Sequence, residues 1–510
     1  MKIYAYAASG FSGCLVSVEV DIRRGIPGLD IVGLPDGAVR ESRDRVRVAL
    51  KRSGFNFPLD RILVNLSPAD LKKEGAAYDL PIAVGILRAS GQIRDTGLNS
   101  ILCAGELMLD GTLRPVKGVL PAAAAALANG VSRFLVPVEN LREASALEGG
   151  RAASIRALKD LPLLLSREWP DSRQSEIRIP ADTPNPAYQD VADLRGQGVL
   201  RRALETAAAG GHHLLMFGPP GSGKTMAARA VAGIMPDLDT SRSLEVSRIW
   251  SQAGKLENNA GLIRRPPFRE PHHSASLEGL IGGGKGGRPG EVSLAHGGVL
   301  FLDEAPEFGT RVIQSIREPL ESGRVDIARA GHAWWYPASF HLLMAMNPCP
   351  CGNLGREEAG CLCTPPELSR YWRRLGGAIL DRIDLRVPVS PVGADTLLGP
   401  PGESSREVRK RVERARKAQY RRFEGRNIRL NAEIPAGEIN RYVHLDHESA
   451  KYFTEAVRQF GLSSRASHGV LRVSRTLADI SGRHNIVSDD ILEALHHRRF
   501  GDKDIFWTTL

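Results

Sequence analysis

The feature that most constrains this chain is a glycine-rich stretch, Gly218-Pro219-Pro220-Gly221-Ser222-Gly223-Lys224-Thr225, which fits the pattern G-x-x-x-x-G-K-S/T. We call it the phosphate loop. The apolar run 214–217 precedes it and the helix-like run 226–232 follows it. In a strand-loop-helix context, the backbone N–H groups of such a loop cradle nucleotide phosphates. We therefore predict an ATP site in which Lys224 reaches the outer phosphates and the Thr225 hydroxyl ligates Mg²⁺.

Length and composition place the chain among folded, multidomain proteins. Its 510 residues are too many for a single core and predict about three domains. Hydrophobic residues make up 42% and charged residues 25%, which is typical of a chain that buries a core. The net charge of +10 favours a polyanionic partner, although charge by itself reports only on non-specific association. Because the sequence shows neither a charged leader nor a long apolar run, we expect a cytoplasmic protein without a membrane partner.

Residues 1–170 predict a mixed α/β domain. Apolar runs typical of strands alternate there with helical stretches. The predicted strands are 14–20, 62–66 and 134–137, and the predicted helices are 83–87 and 122–128. From 171 to 189 the chain is rich in Pro, Asp, Ser and Arg without periodicity, which predicts a linker.

Two further strands predict the rest of the nucleotide site. The apolar run 298–302 ends in the adjacent acids Asp303 and Glu304, the arrangement of a Walker B segment. Asp303 is expected to hold Mg²⁺ directly or through water, and Glu304 to orient the attacking water. A strand that ends in an acidic helix cap is the alternative. The other strand, 342–346, ends at Asn347, whose amide could sense the γ-phosphate.

Two inserted segments predict contacts with nucleic acid. The first is glycine-rich and carries Lys285 and Arg288, so it suits a mobile loop that presents cations to a phosphate backbone. The second, 324–337, predicts a hairpin in which Arg329 lies beside the aromatic Trp334. Both could line the pore of a ring. Packing in a core is the alternative for the aromatic residues.

The insert 349–363 holds a cluster of four cysteines: Cys349, Cys351, Cys361 and Cys363. Two C-x-C pairs joined by a short loop can converge as a tetrahedral thiolate site, which is typical of structural Zn²⁺. Free thiols and a redox disulfide are the alternatives, and a reducing cytoplasm disfavours the disulfide. We therefore predict a zinc site here.

The last part of the chain, 396–510, predicts helices. Segment 404–425 contains nine lysines and arginines against three glutamates. Val408, Val412 and Ala415 give it an apolar stripe. Both a solvated charged face and a DNA-backbone contact remain open for this segment. Further helices are predicted at 451–460, 465–480 and 489–497.

Taken together, the motifs resemble the magnesium-chelatase-like AAA+ proteins, and most closely the ComM/YifB family. Residues 207–215, Ala-Ala-Ala-Gly-Gly-His-His-Leu-Leu, match a hallmark stretch of that family, and the resemblance covers nearly the whole chain. It implies an AAA+ ATPase domain with a parallel sheet at 190–395 and an α-helical lid within 396–510. It also implies a homo-oligomer, expected to be a hexameric ring, that hydrolyses ATP with Mg²⁺.

The resemblance also assigns roles to residues. Arg382 lies where the family has an arginine finger, which enters the neighbouring subunit's site. An ordinary Asp-Arg surface pair is the alternative. Asn347 matches the family's first sensor. Arg465 aligns best with the second sensor, and Arg472 and Arg475 are possible substitutes. The four cysteines resemble the family's own pattern.

The first domain is similar to the Lon-protease-like domain, on the stretches 73–81 and 111–118. Lon proteases cleave peptides with a serine and a lysine that deprotonates it. Here Ala76 and Ala77 lie at the serine's place and Ala122 at the lysine's. We therefore expect a non-proteolytic domain used for assembly or DNA contact.

For the whole protein, the resemblance implies a ring motor acting on single-stranded, forked or branched DNA. Helicase and branch-migration activity during natural transformation is the implied role. A magnesium-chelatase-like or chaperone-type remodeller acting on a protein partner is the second hypothesis. An ATP-dependent protease is the third, and the missing serine disfavours it.

Overall fold

The computed structural model describes residues 1–93, 100–166, 169, 189–257, 261–284, 286–329, 332–356 and 360–498. Lys285 lies outside the described residues, as does all of the predicted linker 171–189 except its last residue. The side chains of Arg329, His332 and Leu397 lie outside them too.

The first group of elements forms the α/β domain that the sequence predicts. Its strands are β1 (Lys2–Ala7), β2 (Cys14–Arg23), β3 (Gly28–Val32), β4 (Arg61–Ser67), β5 (Ser100–Cys103), β6 (Glu106–Leu107), β7 (Leu113–Arg114), β8 (Arg133–Pro137) and β9 (Arg151–Ile155). Its helices are α1 (Gly37–Arg52), α2 (Asp79–Ala89), α3 (Val119–Ala128), α4 (Leu141–Ala144) and α5 (Leu161–Leu165).

A mixed sheet in the order β3-β4-β2-β1-β5-β8-β9 organises this domain. Strand β2 runs antiparallel to its two neighbours, β1 and β4. On the other side of β1 the pairs are parallel: β1 with β5, β5 with β8, and β8 with β9. Successive side chains of a strand face opposite sides of a sheet. Accordingly, Ile3 and Ala5 pack in the core with α1 and α2, while Tyr4 and Tyr6 pack with α3. The sheet is therefore covered by helices on both faces.

The second group contains the phosphate loop. Its strands are β10 (Leu214–Phe217), β11 (Phe268–Arg269), β12 (Gly282–Gly283), β13 (Arg288–Pro289), β14 (Val299–Leu302), β15 (Arg324–Arg329), β16 (His332–Pro337), β17 (His341–Met346) and β18 (Leu385–Pro388). Its helices are α6 (Gly198–Gly210), α7 (Lys224–Ile234), α8 (Thr240–Ala253), α9 (Leu277–Ile281), α10 (Glu291–Leu294), α11 (Thr310–Ser315), α12 (Arg317–Ser322), α13 (Pro365–Arg373), α14 (Gly377–Leu380) and α15 (Ala394–Leu398).

A sheet of five parallel strands in the order β11-β14-β17-β10-β18 forms the centre of this group. Every residue of β10, β14 and β17 is buried, as continuous apolar runs predict for a sheet covered on both faces. Because all the strands are parallel, their carboxyl ends meet at one edge. Ligands of open α/β sheets bind at this edge. The predicted parallel-sheet ATPase fold is confirmed.

The third group is helical, as the sequence predicts. It consists of α16 (Ser405–Arg422), α17 (Ile439–Tyr442), α18 (His447–Phe460), α19 (Ser464–Ile480) and α20 (Ser488–Arg498). Helix α16 begins in a capping box between Ser404 and Glu407. Its predicted apolar stripe, Val408, Val412 and Ala415, is buried in the same core as helices α6, α7 and α19. The helical region therefore shares its core with the nucleotide-binding sheet.

The first and second groups are in direct contact. The Phe11 N–H donates to the Trp335 carbonyl oxygen at 2.9 Å, and the Arg248 guanidinium lies 4.2 Å from the centre of the Phe11 ring. On another part of this junction, the buried Glu143 carboxylate accepts a hydrogen bond from the Ser251 hydroxyl. Among the described helices, none is long and apolar enough to cross a membrane.

Candidate nucleotide site and its surroundings

The phosphate loop connects β10 to α7 through a backbone that requires glycine. A Cβ at Gly218 would lie 2.0 Å from the Val389 carbonyl oxygen, and Gly223 has φ of 91°. Helix α7 begins at Lys224, two residues before the predicted helical run, so that Lys224 and Thr225 form its first turn. The N-terminus of a helix attracts anions because its free N–H groups and dipole carry partial positive charge. The backbone of the loop is thus arranged for phosphate binding.

The Lys224 ammonium group is folded along the loop. It donates to the carbonyl oxygens of Gly218 at 2.7 Å and Pro219 at 2.9 Å. Burial lowers its pKa, while Asp303 and Glu304 act in the opposite direction. The lysine charge is therefore held beside the loop, where it can meet the phosphates.

Asp303 and Glu304 follow β14 at the same edge of the sheet. The Thr225 hydroxyl donates to Asp303 Oδ2 at 2.7 Å, although the two residues are 78 positions apart in the chain. Glu304 has φ of 49° and ψ of 44°, a left-handed conformation that is uncommon for any residue except glycine. Backbone conformations of this kind cluster at functional sites. The structure thus brings the two predicted Mg²⁺ ligands together beside Glu304.

His273 is a neighbour of Glu304 that was not predicted as a site residue. Its Nδ1 lies 3.7 Å from Glu304 Oε2, and its ring packs on that of His272 with 4.1 Å between the ring centres. The pair follows β11, and the sheet places β11 beside β14. The sequence showed the histidine pair, but only the strand order connects it with the acids.

Asn347 is placed between the phosphate loop and the acids. Strand β17, which it follows, lies between β10 and β14 in the sheet. The Gly218 N–H donates to the Met346 carbonyl oxygen at 3.2 Å, so the next residue, half-buried Asn347, is adjacent to the loop. This position suits a sensor of the γ-phosphate, and that role stays a prediction.

The two arginines assigned by the family resemblance meet at a single carboxylate. Arg465 Nη2 lies 3.3 Å from Glu321 Oε1, and the Arg382 guanidinium contacts the same oxygen. Burial, followed by the nearby charges of Arg465 and Arg317, lowers the pKa of Arg382 to about 10. Arg382 therefore remains charged at neutral pH. The described hydrogen bonds and ion pairs of the two side chains are with Glu321 and, for Arg382, also with the Ala378 carbonyl oxygen.

The two substitutes for the second sensor are placed in the helical region. Arg475 is buried and bound to Asp479, with Nη2 and Oδ1 2.9 Å apart. Burial also lowers the pKa of Arg472, while the Asp384 carboxylate acts in the opposite direction. Arg465 is exposed, whereas Arg472 is half-buried and Arg475 is buried, so Arg465 is the most accessible of the three arginines.

A buried hydrogen-bonded chain connects the helical region to the Arg382 segment. His212 Nδ1 lies 2.9 Å from Asp384 Oδ2, and His212 Nε2 lies 2.8 Å from Thr476 Oγ1 on α19. Burial favours the neutral acid, but the hydrogen bond to His212 and the nearby arginines lower the pKa of Asp384 to about 2. These hydrogen bonds therefore connect Thr476 of α19 to Asp384, two residues after Arg382.

The four predicted zinc ligands converge. The ligand atoms of Cys349, Cys351, Cys361 and Cys363 all lie within 4.8 Å of one another. Three of the sulfur-to-sulfur distances are 3.3, 3.7 and 3.7 Å. A tetrahedral Zn²⁺ site with its usual bond lengths requires about 3.8 Å between sulfurs, so the geometry fits the ion. We call this cluster the cysteine knuckle.

The cysteine knuckle packs against the phosphate loop. A Cβ at Gly352 would lie 3.2 Å from Pro220 Cδ, and Arg356 donates to the Pro220 carbonyl oxygen at 3.3 Å. On the other side of the knuckle, the Trp372 indole donates to the Pro348 carbonyl oxygen at 3.1 Å. The knuckle thus follows β17 in the chain and contacts the loop that would hold phosphate.

Comparisons with known proteins agree with this architecture. Three family models match this chain. They are described as "Subunit ChlI of Mg-chelatase", which matches 18–140, "Magnesium chelatase, subunit ChlI", which matches 190–397, and "Magnesium chelatase, subunit ChlI C-terminal", which matches 402–498. The protein YifB of Escherichia coli is 41% identical over 499 residues, which cover 97% of this chain and 96% of that protein. Competence protein ComM of Haemophilus influenzae is 40% identical over 500 residues, 97% of each chain. This chain belongs to the ComM/YifB family.

The resemblance of this chain to Lon proteases is also supported. Lon protease 2 of Bacillus subtilis is 32% identical over 145 residues, which cover 26% of this chain and 25% of that protein. In the structure, Ala76 and Ala77 form a short turn before α2, and Ala122 is buried in α3. The domain boundaries themselves stay predictions.

The predicted DNA-binding segments of this ComM/YifB protein lie together. Strand β13 presents Arg288 to solvent, and the adjacent Gly287 backbone lies against the Trp334 indole. The Tyr336 hydroxyl donates to the Gly287 carbonyl oxygen at 2.8 Å. Arg329 is paired with His332 in the predicted hairpin of β15 and β16. Trp334 is therefore partly used in packing the hairpin onto the glycine-rich loop, and its contact with DNA stays a prediction, as do those of Lys285 and Arg329.

Proposed function

We propose that this protein is an ATP-driven ring motor that moves on DNA in the cytoplasm. The observation that carries the proposal is the hydrogen bond between Thr225 and Asp303. It joins the phosphate loop to the Walker B acids at the carboxyl edge of a parallel sheet. Membership of an AAA+ family supports ATP hydrolysis at this edge.

Each side chain of the site has a role that follows from its position. The phosphate loop and the N-terminus of α7 would bind the phosphates, and Lys224 would turn from the loop carbonyls to the outer phosphate oxygens. Thr225 and Asp303 would hold Mg²⁺, which neutralises the charge developing on the phosphates. Glu304 would orient the attacking water, with His273 fixing the carboxylate, and Asn347 would contact the γ-phosphate.

The second half of the site would come from a neighbouring subunit. Arg382 and Arg465 share Glu321, so both would reach the same phosphate group when a neighbour's nucleotide displaces that carboxylate. An arginine supplied in trans stabilises the charge of the transition state. We therefore propose a hexameric ring in which hydrolysis requires assembly.

The cysteine knuckle is proposed as a structural zinc site. Its four thiolates would hold Zn²⁺ in a closed tetrahedral shell without an open position for catalysis. Because the knuckle touches Pro220, its role would be to support the phosphate loop.

DNA is proposed as the track. The name of the Haemophilus influenzae relative refers to competence, and the net charge of +10 suits a polyanion. Arg288 is an exposed cation on the glycine-rich loop beside the hairpin. Helicase and branch-migration activity on single-stranded, forked or branched DNA during natural transformation is the proposed role.

The second candidate is a remodeller of a protein partner, of the magnesium-chelatase or chaperone type. The family models that match this chain are those of a magnesium chelatase subunit, which favours this candidate over a protease. Ala76 and Ala77 leave the proteolytic hypothesis without its nucleophile.

The deciding experiment is the ATPase rate with and without DNA. We expect single-stranded, forked and duplex DNA to raise the rate, and Glu304→Gln to lower both basal and stimulated hydrolysis by about 10²- to 10³-fold. If none of these DNAs raises the rate of active enzyme, the DNA motor is excluded and the protein remodeller is favoured. Hydrolysis at the parental rate in Glu304→Gln would instead overturn the assignment of the nucleotide site.

A further inference from the structure

The exposed face of α16 has charges that neither the fold nor the nucleotide site uses. Helix α16 carries nine lysines and arginines, and four of these are engaged with other groups. The engaged ones are Arg409 with Glu413 and Asp237, Arg411 with Glu205 and Glu403, Arg416 with the Ala208 carbonyl, and Arg422 with Asp479 and Asn431. These contacts hold α16 onto the motor and the lid.

The remaining five basic residues form a second set, which we call the basic row: Arg406, Lys410, Arg414, Lys417 and Arg421. All five are exposed, and within the described part of the chain none has an ion pair or hydrogen bond to a side chain. Successive members are three or four positions apart, which is the period of one face of a helix. With a rise of 1.5 Å per residue, the basic row is about 22 Å long.

The composition of this face distinguishes between kinds of partner. Besides the basic row, the exposed residues of α16 are Glu407, which is bound to its own N-cap, and Tyr420. A protein interface usually has an apolar centre, which this face lacks. A line of cations with an exposed aromatic ring beside it suits a nucleic acid, since cations bind phosphates and aromatic rings stack on bases.

We propose that the basic row binds the phosphodiester backbone of DNA. This inference rests on the proposed function and adds a DNA-binding surface outside the two predicted pore segments.

The position of α16 explains how such a contact would affect hydrolysis. The buried side of α16 packs on α7, whose first residue is Lys224, and on α19, which begins beside Arg465. Arg409 also binds Asp237, just after α7. DNA on the basic row would therefore press on the helix that carries the phosphate loop and on the helix that carries the second-sensor candidate.

The test compares two double variants of the full-length protein. Arg414→Ala/Lys417→Ala removes two charges from the basic row. The control, Lys451→Ala/Arg458→Ala, removes the same two residue types from exposed positions of α18. Binding of fluorescein-labelled single-stranded and duplex 40-mers is followed by anisotropy across a salt series. Equal thermal midpoints and oligomeric masses are checked for all proteins.

For the basic-row variant we expect binding on the order of 10- to 100-fold weaker at 50 mM salt, with the loss shrinking as salt rises. The slope of log K against log salt should become shallower by about 1.8 for duplex and about 1.4 for single strands. The α18 control should match the parent, and the charge-preserving variant Arg414→Lys/Lys417→Arg should keep the parental slope.

The possible failures are distinguishable. If the parent binds no DNA, the proposed function fails and the inference with it. If the parent binds and the basic-row variant keeps the parental slope, the inference fails while the motor function stands. If the basic-row variant loses oligomeric mass, the row is a contact between protein chains, and the inference is overturned.

Discussion

Two helices of this chain follow a glycine with a positive φ, but different side chains come after the glycine in each case. In the motor, Gly223 with φ of 91° leads into α7, and Lys224 and Thr225 follow it. In the first domain, Gly75 with φ of 89° leads through a short turn into α2, but the residues that follow are Ala76 and Ala77. The glycine supplies the turn in both places, whereas the polar side chains needed for chemistry are present only in the motor.

The starts of α2 and α7 also differ in the groups that surround them. At the start of α2, the buried Asp79 carboxylate accepts from Arg45 Nε at 2.8 Å and also from the Ser42 hydroxyl. Protein groups thus satisfy the carboxylate at this helix start. At the start of α7 the loop is shaped for a ligand, with Lys224 and Thr225 facing the Walker B acids. A fold does not by itself fix a function, because the packing and the chemistry depend on different residues.

The largest effect is expected from Arg382→Ala, which tests whether the motor site is completed by a second subunit. Loss of an arginine that acts in trans lowers hydrolysis by about 10³-fold or more. An equimolar mixture of Arg382→Ala and Lys224→Ala proteins should recover part of the activity, because an intact loop can then face an intact arginine. A mixture as inactive as either variant, at equal oligomeric mass, would contradict the shared site.

Glu304→Gln is expected to lower hydrolysis by about 10²- to 10³-fold while ATP still binds, because the carboxylate orients water rather than holding phosphate. ATP affinity and turnover are measured separately to show this. The control is Glu307→Gln, a nearby exposed glutamate whose described partner is Arg374. Comparable loss of turnover in the control would show that the charge of the region, and not the position of Glu304, is responsible.

Metal removal from the cysteine knuckle should have a smaller effect, because the knuckle supports the phosphate loop without touching substrate. We expect the parent to contain stoichiometric zinc by elemental analysis. Chelation, or Cys361→Ser, should weaken ATP binding and lower the thermal midpoint by about 2–4 °C for each kcal/mol of lost stability. Cys14→Ser, an exposed cysteine outside the cluster, should change neither quantity. Protein that lacks zinc and has full ATP affinity would rule out this role.

The smallest effect is expected in the first domain. Ala76→Ser and Ala77→Ser should yield no ATP-dependent cleavage of casein, because Ala122 stands where the lysine would be and no base is supplied to the new hydroxyl. Measurable cleavage by the parent or by either variant would remove the contrast between the two regions.

Much of the motor was predictable from the sequence because its signals are local. The apolar runs at 214–217 and 342–346 lie within one residue of β10 and β17, since a buried parallel strand reads as continuous hydrophobic sequence. The helical region was also predictable from its period. Strand β18 and the contact of His273 with Glu304 were not predicted, because strand order depends on packing between segments far apart in the chain.

The sequence by itself determined the family, the phosphate loop, the adjacent acids and the four cysteines. These are local patterns in which residue type and spacing carry the chemistry. Only the tertiary structure showed that Thr225 meets Asp303, that Arg382 and Arg465 share Glu321, and that the cysteine knuckle touches Pro220. It also separated the engaged arginines of α16 from the exposed basic row. The physical reason is that pairing and burial depend on which distant segments pack together, and a charge in the sequence does not show whether it has a partner.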